Sequence, residues 1–265
     1  MVLTASEVSV VPSEARMLFR KGEWTDHTGG LCLGFAQANL AIVPKDVAFD
    51  FLLFCQRNPK PCPLLEVLDP GDPTIRTMAD NADVRTDLPQ YRVYVKGELV
   101  DEPTDILEYW KDDLVGFLLG CSHSFEEALM NGGVPMRHIE SGCMVSAYDS
   151  AIECASSGSF RGNMVVSGRS IPADKVAKAV QITSRYPGVH GSPVHIGDPS
   201  VIGVDFLQPT YGAPPQPEDG DVPVFWACGV TPQLVARNSK VDLLISHAPG
   251  AMFITDIPNE HLASL

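Results

Sequence analysis

The sequence predicts an α/β protein, and three observations predict it. Residues 160–196 read as strand, helix and strand. Residues 222–246 repeat that order. Glycine and proline number 22 each in 265 residues, above their usual share, so structured turns separate many short elements and a helical bundle or coiled coil is excluded. Apolar residues at 45% and charged residues at 20% give the balance of a globular chain. A chain of this length buries a core without disulfide or metal staples.

The first helix spans residues 12–20, with Glu14 early and Arg20 late, as the helix dipole prefers. Gly22 ends it. A glycine-spaced loop from Gly29 to Gly34 leads to Gln37, Asn39 and an apolar stretch over 40–43. Val47, Phe51, Phe54 and Cys55 fall near helical spacing and predict a helix over 45–57. Asn58-Pro59-Lys60-Pro61-Cys62-Pro63 is a rigid extended loop, because each proline fixes φ and restricts the residue before it. Strands follow at 64–68 and 90–95, the second turning through Lys96-Gly97-Glu98 into Leu99-Val100. Residues 104–120 are expected to be helical, broken near Lys111-Asp112-Asp113. Ser124-Phe125-Glu126-Glu127 fits a capping box that opens a helix through Met130, and Asn131-Gly132-Gly133 closes it.

In the middle third, a strand at 160–167, a helix at 172–186 and a strand at 192–196 form the β-α-β unit. The loop 208–221 is rich in proline, glycine and acid. Residues 222–227 form a near-continuous apolar strand of the doubly buried kind. Thr231 is expected at the N-cap and Pro232 at N1 of a short helix, followed by a buried strand at 243–246. Strand, helix and strand in this order imply a parallel pair with a right-handed crossover.

The 19 basic and 33 acidic residues give a net charge of −14. That opposes binding to nucleic acid and to anionic membrane surfaces, both of which need clustered Lys and Arg. No apolar run reaches the length of a membrane span. The first fifteen residues carry Glu7 and Glu14 and no basic segment, against a signal peptide. Seven cysteines (32, 55, 62, 121, 143, 154 and 228) show no CxxC spacing, so a disulfide framework or a zinc site is not expected and the cytoplasm is the natural compartment. No cofactor or metal is expected, and the oligomeric state is open, a homo-oligomer included.

The strongest constellation for chemistry is Cys228-Gly229-Val230-Thr231-Pro232-Gln233. A buried strand ends there and a helix begins, an arrangement that presents free N–H groups to an anion. The next strand ends at Ser246-His247-Ala248-Pro249-Gly250, so a parallel pairing would set His247 beside Cys228 at one sheet edge. A third cluster holds Arg185, His190, His195 and Asp198 among glycines and prolines; its spacing matches no helical metal motif. The fourth, Gly120-Cys121-Ser122-His123-Ser124-Phe125-Glu126, offers hydroxyls and a carboxylate beside a helix start. No G-x-S-x-G elbow, P-loop or dinucleotide fingerprint occurs.

Seven blocks together resemble the D-glutamate cyclase family, whose bacterial members are described as hydro-lyases: GFAQANL (34–40), FLLFCQRNPKPCPLLEV (51–67), RTDLPQYRVY (85–94), GCSHSFEEAL (120–129), VQITSRYPGVHGSPVHIGDP (180–199), VPVFWACGVTPQ (222–233) and SHAPGAMFITD (246–256). The resemblance implies a three-layer α/β/α domain, residues 1–142 plus 211–265, with a smaller two-layer α+β domain, 143–210, inserted. It implies a small anionic amino-acid or carboxylate substrate, and a reaction in which D-glutamate loses water to give 5-oxo-D-proline. Two positions depart from the family pattern: Ala151 stands where it has Asn, and His123 where it has Phe.

On this basis His247 or His190 would move protons, and backbone N–H groups around Gly229 to Thr231 would hold an oxyanion. Arg185 or Arg169 would bind the α-carboxylate, with Ser122, Glu126, Gln233 and His195 as further substrate contacts. Cys228 would act covalently only with a lowered pKa. A thiol amidohydrolase built on Cys228 and His247, and a non-catalytic amino-acid or dicarboxylate-binding protein, are the alternative readings.

Overall fold

The structure is a computed structural model that describes residues 11–264. Residues 1–10, on which most of the signal-peptide reading rests, lie outside the described residues. After α1 (Pro12–Arg20) the chain enters β1 (Phe35–Pro44), α2 (Lys45–Arg57) and β2 (Leu64–Val67). A short hairpin, β3 (Thr74–Ile75) and β4 (Ala82–Asp83), precedes β5 (Tyr91–Val95), β6 (Glu98–Asp101) and β7 (Leu114–Gly120). Two helices, α3 (His123–Asn131) and α4 (Arg137–Glu140), lead to β8 (Ser146–Glu153) and β9 (Asn163–Pro172). The chain continues through α5 (Val176–Thr183), β10 (His195–Ile196), β11 (Asp221–Ala227), α6 (Val230–Asn238), β12 (Leu244–His247) and β13 (Phe253–Pro258).

The fold is of the α/β class, built on two main sheets. The larger has the order β2-β7-β1-β12-β5-β6, with β13 also on β1. All its pairs are antiparallel. β1 is central because every residue but its two ends is buried. On one face Phe51 and Phe54 of α2 and Val235 and Ala236 of α6 pack on Val43, Phe117 and Leu244. The other face is covered by Ile75, Ala82, Val84 and Leu88 from the segment between β2 and β5, and by Ile106 from the loop between β6 and β7.

The smaller sheet has the order β10-β11-β9-β8. Three of its strands fall within residues 143–210, and β11 follows them in sequence. Phe125 and Leu129 of α3 and Ala179 of α5 pack on Ile171, Val224 and Trp226, while Ile202, Val204 and Phe206 cover Tyr148, Val166 and Phe225 on the opposite face.

Four sequence expectations need correction. First, β11 and β12 are not a parallel pair: they lie in different sheets. The helix between them crosses from one sheet to the other, which strand order in sequence does not reveal. Second, the predicted β-α-β strands are not neighbours, because β11 pairs antiparallel with both β9 and β10 and separates them. Third, the helix expected over 104–120 does not form: residues 104–113 are turns and loop, and 114–120 form the fully buried strand β7. A short apolar run has no period to tell the two apart, and a Cβ on Gly116 would come 2.8 Å from Leu68. Fourth, the capping readings fail. α3 starts after Ser122 and α6 after Gly229, neither with a side-chain cap. Ser124 Oγ instead accepts from the Gln37 N–H at 3.1 Å, and Thr231 Oγ1 donates to the Cys228 carbonyl at 2.7 Å.

Candidate active site

The two sheets and three helices enclose a cavity of about 450 Å³. The larger sheet contributes Asn39 from β1, Arg92 and Tyr94 from β5, and Ser246 and His247 from β12. Cys228 closes β11, and Ala147 comes from β8. The first turn of α3 supplies His123 and Glu126 beside Ser122. Val230, Gln233, Leu234 and Arg237 of α6 also line it, the i, i+3, i+4, i+7 spacing of one helical face. His27, Gly29 and Gly30 line it from a loop. That loop is held by Thr28, whose N–H donates to Gly250 O at 2.8 Å and whose hydroxyl donates to Gln37 Oε1 at 2.7 Å.

The largest polar cluster centres on Glu126. Arg169 reaches its carboxylate through Nη2, and through Nε at 3.2 Å. The same guanidinium donates to Ser122 Oγ and Ser167 Oγ, each at 3.1 Å, and lies over the Phe125 and Trp226 rings. Four of the five N–H groups of Arg169 are thereby spent on protein, and Arg169 does not itself line the cavity; it positions Glu126. On the other side, His138 Nε2 lies 3.0 Å from Glu126 Oε1. Burial pushes the Glu126 carboxyl up, but the Arg169 charge, with His138 and His123, outweighs it and holds the carboxyl well below the usual range. His138 is fixed from below by its neighbour Arg137, which pairs with Asp221 at 3.2 Å and Glu218 at 2.7 Å. His123 Nδ1 and His138 Nε2 are both buried without a partner in hydrogen-bond geometry, so the Glu126–His138 contact is one of charge and proximity.

His247 occupies a gap in the large sheet. β13 pairs with β1 up to Ala38 and β12 pairs with it from Ala41, so Leu40 falls between them. Its N–H donates to His247 Nδ1 at 3.1 Å, and its carbonyl accepts from Gln233 Nε2 at 3.2 Å. Gln233 Nε2 also lies 2.7 Å from that Nδ1. With Nδ1 accepting, the neutral ring carries its proton on Nε2. Burial lowers the His247 pKa to about 4, against a contribution from the Leu40 carbonyl. At neutral pH the His247 ring is therefore uncharged, and in this tautomer it offers its Nε2–H as a hydrogen-bond donor.

Of the residues singled out in sequence, Ser122, Glu126, Cys228, Gln233 and His247 meet on the cavity wall. Gly229 and Thr231 sit just behind it. A Cβ on Gly229 would come 2.0 Å from Asn39 Nδ2, so this glycine makes room for Asn39 rather than for a ligand. Three residues lie away from the cavity. Arg185 is on the surface, its Nε 3.5 Å from Ser264 O. His195 bonds Asp198 O at 2.7 Å. His190 is buried, donates from Nδ1 to Lys60 O at 2.7 Å and has its pKa lowered to about 4 by burial; it ties the proline loop to the loop before β10. The Cys228 thiol is pushed up by burial, which argues against a thiolate nucleophile.

Sequence reasoning missed Asn39, Arg92, His138 and Arg237. Arg237 was within reach, because it shares the α6 face of Gln233. Arg92 was too, because Tyr91 and Val93 point into the core and strand alternation sends Arg92 the other way. His138 had no such signal, since α4 has only four residues. Among the described residues, no three His, Cys, Asp or Glu side chains converge to hold a metal ion, and no helix is long and apolar enough to cross a membrane.

Known proteins match this chain over nearly its whole length. It is 55% identical over 253 residues to a protein of Geobacillus kaustophilus, covering 95% of this chain and 96% of the relative. It is 56% identical over 252 residues to one from Stutzerimonas stutzeri, covering 95% of each. A third, from Corynebacterium glutamicum, is 55% identical over 255 residues, covering 95% of this chain and 96% of the relative. All three bear the name "putative hydro-lyase". An α/β fold around a cavity that carries Glu126, His138 and His247 on its wall, with relatives of this kind, defines an enzyme of the hydro-lyase class. The family model described as D-glutamate cyclase matches residues 115–256, which include α3, α4, α6 and the ends of β11 and β12. The chain belongs to the D-glutamate cyclase family.

Proposed function

We propose that the enzyme converts D-glutamate to 5-oxo-D-proline with loss of water. The observation that carries this reading is the Glu126–His138 pair, 3.0 Å apart, on the wall of a cavity that also presents donors for an oxyanion. The amine nitrogen forms a bond to the γ-carboxyl carbon, and one carbon–oxygen bond of that carboxyl breaks. Both protons that leave the ammonium end on the departing oxygen, so substrate and product lactam carry the same net charge. A group that accepts a proton from nitrogen and returns it to oxygen is needed, and His138, held 3.0 Å from the Glu126 carboxylate, takes that role. The Nε2–H of His247 and the first turns of α3 and α6 hold the tetrahedral oxyanion. Enclosure of the folded substrate supplies proximity. Six cysteines, at positions 55, 62, 121, 143, 154 and 228, form no disulfide, which supports a cytoplasmic setting.

The test is incubation with D-glutamate, followed by NMR for the lactam. The native enzyme forms 5-oxo-D-proline, and His138→Ala and Glu126→Gln lower kcat by about a hundredfold, the lower end of general acid–base contributions. No lactam from the native enzyme, or full activity in His138→Ala, would sink the reading.

A further inference from the structure

One wall of the cavity plays no part in the proton chemistry above. Arg92 and Arg237 both line it, one on β5 and the other in the last turn of α6. Arg92 donates from Nε to Glu102 at 2.7 Å and also meets the Tyr94 side chain; these contacts fix its plane while the guanidinium still lines the cavity. Among the described residues Arg237 has no carboxylate within ion-pair distance and no side-chain hydrogen bond. Asp149 feels its charge but does not line the cavity.

Tyr94 and Tyr211 also belong to this wall. Burial and Asp149 raise the Tyr211 phenol, Tyr94 adds to this and the Arg237 charge opposes it; these groups therefore share one neighbourhood. The chain carries 33 acidic residues and a net charge of −14, yet Glu126 is the one acid among the cavity-lining residues, and Arg169 already neutralises it. A cationic wall in so acidic a protein attracts an anion locally against the global field.

We infer that Arg92 and Arg237 form a carboxylate subsite separate from Glu126 and His138, and that the cavity selects dicarboxylates over monocarboxylates. This rests on the lactam reading only for which carboxylate is bound: in D-glutamate it is the α-carboxylate, while the γ-carboxyl reacts. A guanidinium fork suits a planar carboxylate bidentately, so lysine is not an equivalent replacement. Arg237 is the specificity-determining residue, with Arg92 beside it.

Two measurements test this. In calorimetric binding, glutarate and butanoate serve as non-reacting probes of one chain type with and without the second carboxylate. The native protein binds glutarate at least about tenfold tighter, the factor that corresponds to 1.4 kcal/mol. Arg237→Met and Arg92→Met each reduce that preference, Arg237→Lys restores part of it, and Arg185→Met on the surface leaves it unchanged. Circular dichroism melts of the same variants separate loss of binding from loss of fold. In turnover, Arg237→Met raises KM for D-glutamate while kcat stays within about threefold, the pattern of lost uniform binding. The native preference for D-glutamate over 4-aminobutanoate shrinks in step.

Equal affinity of the native protein for glutarate and butanoate overturns the subsite. So does an unchanged glutarate preference in folded Arg237→Met and Arg92→Met. If the glutarate preference holds but D-glutamate is not turned over, the subsite stands and the lactam reading fails.

Discussion

The backbone N–H of Leu40 donates to Nδ1 of His247 at 3.1 Å, in the gap where β1 passes from β13 to β12. This contact gives the histidine a structural task and fixes its tautomer. With a pKa near 4, it stays neutral through the physiological range. NMR of the imidazole should show no titration of His247 between pH 5.5 and 8, and a protonated Nε2. Titration near the ordinary value of about 6.5 would contradict the assignment. His247→Ala leaves the Leu40 N–H without its partner, which costs about 1–3 kcal/mol of stability.

Acid should destabilise the protein in two stages. His190 and His247 have folded pKa values of about 4, against about 6.5 unfolded. The unfolded chain binds more protons in that window, so stability is lost as pH falls from about 6.5 to 4. Glu126 is depressed below its unfolded value of about 4.3. Its contribution is present above that value and is lost as pH falls from there towards the lower folded pKa. Denaturant midpoints measured against pH should fall through both windows, and His190→Gln should flatten the first.

Arg169 and Glu126 are both buried and joined by two nitrogens of one guanidinium. Arg169→Met strands a carboxylate, which costs about 3–5 kcal/mol. Adding Glu126→Gln to Arg169→Met should recover part of that loss in thermal unfolding, because no buried charge then lacks a partner. An additive double mutant would show that the two groups do not act as a pair.

Gly229→Ala drives a methyl group to 2.0 Å from Asn39 Nδ2, while that nitrogen already donates to Gly120 O at 2.8 Å. Overpacking of this kind costs about 1–3 kcal/mol. Combined with Asn39→Ala, the same substitution should cost little further, and the two changes should be strongly non-additive. Gly120→Ala has no such remedy, since its methyl would meet the Gly188 carbonyl at 2.1 Å.

Cys228 should behave as a packing residue. Its thiol is raised by burial, so alkylation by iodoacetamide at pH 7 should be slow compared with free cysteine. Cys228→Ser should keep activity within about tenfold, far from the loss expected when a catalytic nucleophile is removed.

Local chemistry wrote most of the elements into the sequence. α1, α2, β11 and β12 follow from apolar period, proline placement and terminal charges, and they agree with the structure to within a residue. β7 was hidden because a seven-residue apolar run satisfies a buried strand and a buried helix equally. The capping pattern at Ser124 was misleading because its hydroxyl, on a short side chain, found its partner in the Gln37 N–H of β1.

The sequence by itself determined the family, the α/β class and five residues of the cavity wall: Ser122, Glu126, Cys228, Gln233 and His247. Those residues sit at the ends of elements, where local signals are strongest. Tertiary structure alone decided which charges meet. Arg169 is consumed by Glu126, Arg185 is left on the surface, and Arg92 and Arg237 face the cavity from a strand and a helix that are 145 positions apart in the chain. A side chain's availability depends on whether a partner reaches it through space. Periodicity along the chain sets the face a residue occupies, and only the packing of one face against another sets what that residue touches.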